Sequence, residues 1–199
     1  MKSMNLTAVI RKKRKKYMYS PPQVTAENAL NRDFTAARPN EKWLTDVTEF
    51  KLTTGKKAYL SAILDLNDNS IVSYVVGPSN NNNLVFDTLD QAIATNPNAK
   101  PLFHSDRGFQ YTSKIFKIKL DKIEATQSMS RVGRCIDNGP MEGFWGTLKS
   151  EMYYLKKFET IEELKQAIDE YIEFYNTKRL QRKLKGMAPM EYRNHTLSI

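Results

Sequence analysis

From Trp43 onward the chain alternates between short apolar runs and polar breaks. "WLTDVTEFKL" (43–52), "KAYLSAILDL" (57–66) and "SIVSYVVG" (70–77) are rich in β-branched and aromatic residues, and "TTGK" and "NDN" divide them. Runs of this kind bounded by turn formers predict a three-stranded meander. The period then changes. In "NNNLVFDTLDQAIATNP" the apolar positions Leu84, Val85, Leu89, Ala92 and Ile93 fall on one helical stripe that stops near Pro97. "PLFHSD" (101–106) reads as a short buried strand, "TSKIFKIKLDKI" as a helix and "EATQSMS" (124–130) as a fifth strand. A further helix starts near Pro140, with Asn138-Gly139 and Asp137 as cap and turn residues. The last is marked by a capping box, Thr160-x-x-Glu163, ahead of Ile161, Leu164, Ile168, Tyr171, Ile172 and Tyr175.

The order βββ-α-β-α-β-α-α predicts an α/β fold, a five-stranded mixed sheet with helices on both faces. A right-handed crossover lays the 101–106 strand beside the first strand. Asp46, within that first strand, then stands next to Asp106. Residues 17–42 are polar, carry Pro21, Pro22 and Pro39 and lack a sustained period, so they read as an extended linker with order beginning at Trp43. The chain divides into a basic arm (1–18), a linker (19–42), a core (43–155) and a C-terminal helical segment (156–199).

Charge and composition narrow the class. Of the nine net positive charges seven sit in residues 1–18, which hold no acid. Arg11, Lys12, Lys13, Arg14, Lys15 and Lys16 either bind polyphosphate through counterion release or form a solvated arm. With 199 residues, one cysteine and two histidines, the chain has room for a core but no internal disulfide and no ordinary zinc site. No stretch of about 18 apolar residues occurs, so a soluble, cytoplasmic protein without a membrane partner is expected.

Asp46, Asp106 and Glu142 are the candidate chemistry. Taken singly, each acid reads more readily as a surface residue or a cap than as a catalytic group. Together they could converge from two adjacent strands and a helix start. Three hard oxygen donors without His or Cys suit Mg²⁺ or Mn²⁺. Two such ions can activate an attacking oxygen and stabilise the leaving oxygen of a phosphoryl displacement. A first-turn Glu142 has its ionised form favoured by the helix dipole. Lys149, seven residues on, returns to nearly the same helix face and could hold a substrate phosphate.

"WLTDVTEF", "FHSDRGFQYTS", "DNGPMEGFWGTLKSE" and "YNTKRLQRKLKGMAPMEY" resemble, in that order, the signature blocks of insertion-sequence transposases, specifically the second-reading-frame product with a retroviral-integrase-like core. Thirty-five residues separate Asp106 from Glu142, the spacing of that family's Asp-Asp-35-Glu triad. The resemblance implies a ribonuclease-H-like core, Mg²⁺-dependent hydrolysis at transposon ends and strand transfer by the freed 3′-hydroxyl. It also implies Asp46, Asp106 and Glu142 as metal ligands, Lys149 as a contact to terminal DNA, and a homo-oligomer assembled on DNA.

Neighbouring residues carry less. His104, Ser105 and Asp106 cannot form a hydrolase relay, because adjacent strand residues point to opposite faces. Asp65 reads as a strand-end residue, and Asp137 as a cap or, less simply, a metal ligand. Trp43, Phe144 and Trp145 read as packing residues. Arg131 and Arg134, in "SRVGRC", either reach DNA phosphates or are solvated loop residues. Where many relatives have a histidine two residues after the motif arginine, Gln181 follows Arg179 and cannot titrate near neutrality, so the motif is expected to order the terminal segment or touch DNA and not to shuttle protons. The arm resembles only the tail of a helix-turn-helix module, which suggests a shortened copy. Two other functions therefore stand beside the transposase core: a catalytically silent DNA-binding remnant that inhibits full-length copies, and a cellular nuclease of the ribonuclease H type.

Overall fold

The computed structural model describes residues 23–197. Five strands form one mixed sheet in the order β3-β2-β1-β4-β5. Strands β1 (Lys42–Lys51), β2 (Lys57–Asp65) and β3 (Ile71–Gly77) are the antiparallel meander. The short strands β4 (Leu102–Ser105) and β5 (Thr126–Met129) extend the sheet in parallel beyond β1. Between them run α1 (Asn82–Thr95) and α2 (Lys114–Lys122), followed by α3 (Gly139–Glu151), α4 (Ile161–Thr177) and α5 (Pro189–Leu197).

Strand alternation divides the core into two layers. Trp43, Ile63 and Phe103 face one way and pack with Val85 and Leu89 of α1 and Phe116 and Leu120 of α2. Leu44, Ala62 and Leu64 face the other way, against Met141, Phe144 and Leu148 of α3 and Leu164, Ile168 and Ile172 of α4. The period-two side-chain pattern of strands requires this split. Removing a fully buried leucine from water is worth about 1.5–3 kcal/mol, so both layers contribute substantially to stability. The capping box forms as expected: Thr160 Oγ1 accepts from the Glu163 N–H, and the Glu163 carboxylate accepts from the Thr160 N–H. Among the described residues no helix is long and apolar enough to cross a membrane.

The structure departs from the sequence reading in two places. Order begins upstream of Trp43: residues 23–41 have no helix or strand but are packed first along β5 and then, from Ala36 to Asn40, against Asp65 and Asn67 at the end of β2. The Val24 N–H donates to the Thr112 carbonyl, the Met129 N–H to the Glu27 carbonyl and the Leu30 N–H to Ser128 Oγ, and Leu30 itself is buried. Proline and polar composition signalled missing periodicity, not missing contacts. The other departure is α5, which has no apolar stripe to betray it. It is held by Arg193, whose guanidinium donates to the buried carboxylates of Asp65 and Asp68 at 3.2 and 2.8 Å. Asp65 does end its strand, and its carboxylate accepts from the N–H groups of Asn40 and Asn67.

Candidate active site

The register of β1 and β4 sets up the site. Leu44 pairs with His104 in the parallel ladder, so two residues further along both strands lie Asp46 and Asp106, at the carboxyl end of β4. Both share the side-chain parity of Leu44, the face covered by α3. Asp46, Asp106 and Glu142 line one pocket of about 550 Å³, together with Asn138 and the loop residues 130–134. Burial, then the charge of Asp106, push the Asp46 carboxyl up to about 6; the Trp145 hydrogen bond works against this and the Glu142 charge adds to it. Asp46 therefore feels the charges of both other acids. Asp106 is open to the pocket as a residue, yet its carboxyl is set deep enough that burial raises its pKa.

Each acid has its own support. The Trp145 indole N–H donates to Asp46 Oδ2 at 2.9 Å from within α3. Below Asp46 the buried Tyr111 hydroxyl meets Thr45 Oγ1 at 3.3 Å. The Gly108 N–H donates to Asp106 Oδ1 at 2.8 Å, and a Cβ at Gly108 would stand 3.0 Å from that oxygen. Glycine is what lets this turn close on the acid. Glu142 occupies the first turn of α3, with Pro140 ahead of it.

Other expectations are corrected. Neither Asp137 nor Asn138 caps α3 through its side chain. The Asn138 amide N–H donates instead to the Thr45 carbonyl at 3.0 Å, tying α3 to β1. Its Oδ1, buried at the pocket wall, has no partner among the described residues. Asp137 is fully enclosed and is the hub of an ion-pair knot. It accepts from the Arg131 guanidinium at 2.8 and 2.9 Å, from Arg32 at 2.7 Å and from Asn28 at 3.1 Å. These donors, Arg131 first, hold its carboxyl far below the usual range. Arg131 thus lines the pocket with its fork already turned to Asp137, whereas Arg134, also on the wall, makes no ion pair among the described residues.

Lys149 does not line the pocket. Its Nζ lies 5.3 Å from the Phe50 ring centroid, and burial lowers its pKa although the nearby Asp46 and Glu49 charges oppose that shift. His104 is buried between the hydroxyls of Ser128 (2.8 Å) and Ser130 (3.1 Å). Gln181 pairs through its backbone with Met187, so it orders the C-terminal turn. Arg11, Lys12, Lys13, Arg14, Lys15 and Lys16 lie outside the described residues. Trp145 and Asn138 are the site residues that sequence reasoning missed. Both stand in the "DNGPMEGFW" block, but their partners on β1 are 99 and 93 residues away.

Among the described residues no three His, Cys, Asp or Glu side chains stand close enough to hold a metal ion as placed. The donor set nonetheless fits a hard divalent cation. All three acids are oxygen donors whose repulsion such a charge would relieve, and the unpartnered Asn138 Oδ1 offers a further acceptor for its water.

Comparison with known proteins agrees with this architecture. Residues 36–135 and 142–197 each match an integrase core domain model. The chain is 48% identical over 197 residues to the putative transposase InsK of insertion sequence element IS150 from Escherichia coli K12, covering 98% of this chain and 69% of that protein. It is 49% identical over 173 residues to a transposase-like protein of Haemophilus influenzae, covering 87% and 80%. The simian T-cell lymphotropic virus intasome superposes with a TM-score of 0.69 at 17% identity over 87% of this chain and 60% of that one. The HTLV-2 integrase catalytic core domain in complex with magnesium gives 0.62 at 19% identity, covering 78% and 97%. The structural likenesses establish a ribonuclease-H-like, integrase-type fold. With it, the sequence relatives establish that the chain belongs to the insertion-sequence transposases and carries their integrase-like catalytic core.

Proposed function

We propose that this pocket hydrolyses the phosphodiester at a transposon end and then joins the freed 3′-hydroxyl to target DNA. The observation that carries the reading is the gathering of Asp46, Asp106 and Glu142 around one pocket, where the charges of the other two act on Asp46. Mg²⁺, or Mn²⁺ in its place, is the proposed cofactor, as a pair of ions, and when bound supplies activation of the attacking oxygen and stabilisation of the leaving one. That an integrase core was solved with magnesium supports this choice.

The chain's own groups perform the rest. Asp46 and Asp106 present oxygens from adjacent strands, and Glu142 closes the set from α3. Trp145 fixes the orientation of Asp46, and Gly108 that of Asp106. Arg134 is proposed to hold a phosphate at the pocket wall, with the outer edge of Arg131 beside it. Lys149, on its Phe50 shelf, is proposed to meet DNA just outside the pocket. In hydrolysis a water oxygen bonds to phosphorus and the 3′-oxygen leaves as a hydroxyl. In transfer that hydroxyl attacks a target phosphodiester and displaces its 3′-oxygen. DNA in the cytoplasm is the proposed substrate. Assembly of two or more copies on it is supported by the trimeric and dimeric forms of the HTLV-2 core. A silent remnant is not favoured, because the whole acidic set is present in one pocket.

The test is cleavage and joining of labelled DNA from the ends of the encoding element, with Mn²⁺. Wild type should nick or join it, and Glu142→Gln should lower the rate by at least a thousandfold while binding DNA as wild type does. Equal inertness of both proteins, with DNA binding retained, would return the silent reading. Preference for an RNA–DNA hybrid would return the ribonuclease reading.

A further inference from the structure

A second groove, of about 430 Å³, begins where the catalytic pocket ends. Asn138 and Glu142 line the pocket, while Gly139, Pro140 and Gly143 line the groove, so the first turn of α3 is the wall common to both. That wall is low. A Cβ placed on Gly139 or Gly143 would meet nothing within 4 Å, so open space faces the helix backbone there. At its far end the groove reaches Arg179, Gln181 and Lys183, on the turn that follows α4.

This turn is strongly charged. Residues 174–190 contain Lys178, Arg179, Arg182, Lys183 and Lys185 and no acid. Outside residues 1–18 the whole chain carries only two net positive charges, so the concentration is local. Arg179 is committed to Glu151, at 2.6 Å. The other four are exposed, and among the described residues none of them makes an ion pair. The turn beneath them is rigidly built. The Gln181 N–H donates to the Met187 carbonyl at 3.0 Å, Leu184 and Ala188 are buried, and Lys185 and Gly186 take left-handed conformations to close it. Lys183, unpaired among the described residues, lines the end of the groove, and Arg182 stands next to it in the chain on the same fixed turn, an arrangement that suits a polyanion with a regular backbone.

We propose that the groove over the first turn of α3 and the basic turn 178–186 beyond it form a sequence-independent track for the DNA backbone, continuous with the catalytic pocket. The inference rests on the reading of that pocket as a DNA site. DNA is favoured over an acidic protein surface because the track leads directly to the carboxylates that would cut it. Phosphates are held by charge, with each neutralised phosphate releasing counterions, so the track contributes affinity without reading bases.

The test uses the full chain and a labelled DNA duplex of arbitrary sequence, titrated over a range of salt. Arg182→Gln combined with Lys183→Gln should make the slope of log affinity against log salt shallower by roughly 1.8, about 0.9 for each lost contact. Affinity at 0.1 M salt should fall roughly tenfold or more by the same relation. A control pair of equal charge, Lys56→Gln with Lys165→Gln, lies by the β1–β2 turn and against β3 and should change the slope by much less. An unchanged slope, an equal effect in the control, or no DNA binding by wild type overturns the track. So does a loss of affinity that coincides with a fall in oligomer mass by light scattering, which would assign the turn to a second copy. Metal-dependent cutting by wild type is scored in the same preparation, so a failed track and a failed catalytic reading give different results.

Discussion

The indole of Trp145 packs against Phe144 at a centroid distance of 5.0 Å while its N–H reaches Asp46. A hydrogen bond to a charged acceptor is worth about 1.5–3 kcal/mol, and this one both orients the carboxylate and favours its ionised form. Trp145→Phe keeps most of the buried ring and deletes the donor. We expect turnover at saturating DNA to fall about tenfold, with DNA affinity unchanged and the melting temperature within a few degrees of wild type. Wild-type turnover in that variant would reduce Trp145 to a packing residue. Its packing role is legible from sequence, since a bulky aromatic on an amphipathic helix faces the core. Its hydrogen bond is not, because the rotamer depends on the way α3 lies across β1. Asp46 and Asp106 were legible as a pair because strand register follows from topology. The distance at which the three acids stand is a matter of side-chain placement and is not.

At the scale of elements, the strands and the first four helices follow from periodicity, with ends shifted by a residue or two where ladders and caps decide them. The segment before β1 does not, because its contacts join residues about a hundred positions apart. Asp137 is the centre of these contacts, binding Arg131 of the pocket loop and Arg32 of the upstream segment at once. Read locally, "IDNGP" looks like a cap; the arginines that claim the side chain are visible only in three dimensions. Asp137→Ala should cost about 2–3 kcal/mol and loosen both segments together. Hydrogen exchange should quicken over residues 23–41 and 130–138, with the β1–β2 ladder still protected. Faster exchange in only one of the two segments would show that the knot does not couple them.

Across the whole molecule, two buried titrating groups act in opposite directions. Burial lowers His104 from 6.5 to about 4, the Asp137 charge opposing it. Between those values the unfolded chain binds the extra proton, so stability falls as pH drops from about 6.5 toward 4. Burial, with the charge of Asp68, raises Asp65 from 3.8 to about 6. Its contribution is fully present below about 4 and is lost as pH rises through 6. Urea denaturation of His104→Gln at pH 7 and pH 4.5 tests the first trend. The variant should lose less stability on acidification than wild type, by on the order of 2 kcal/mol, and an equal loss would remove His104 from the acid response.

The order of the acids along the polypeptide has a consequence for how the pocket comes into being. A ribosome releases Asp46 and Asp106 well before Glu142, and α3, which carries that acid, settles on Leu44, Ala62 and Leu64 of the sheet only afterwards, with α4 covering the same face later still. A nascent or clipped chain ending ahead of that helix pair holds two thirds of the acidic set and lacks the tryptophan that aligns the first of them. On the reading proposed for the pocket, the capacity to break DNA would arrive late in synthesis, once Glu142 and Trp145 are in place.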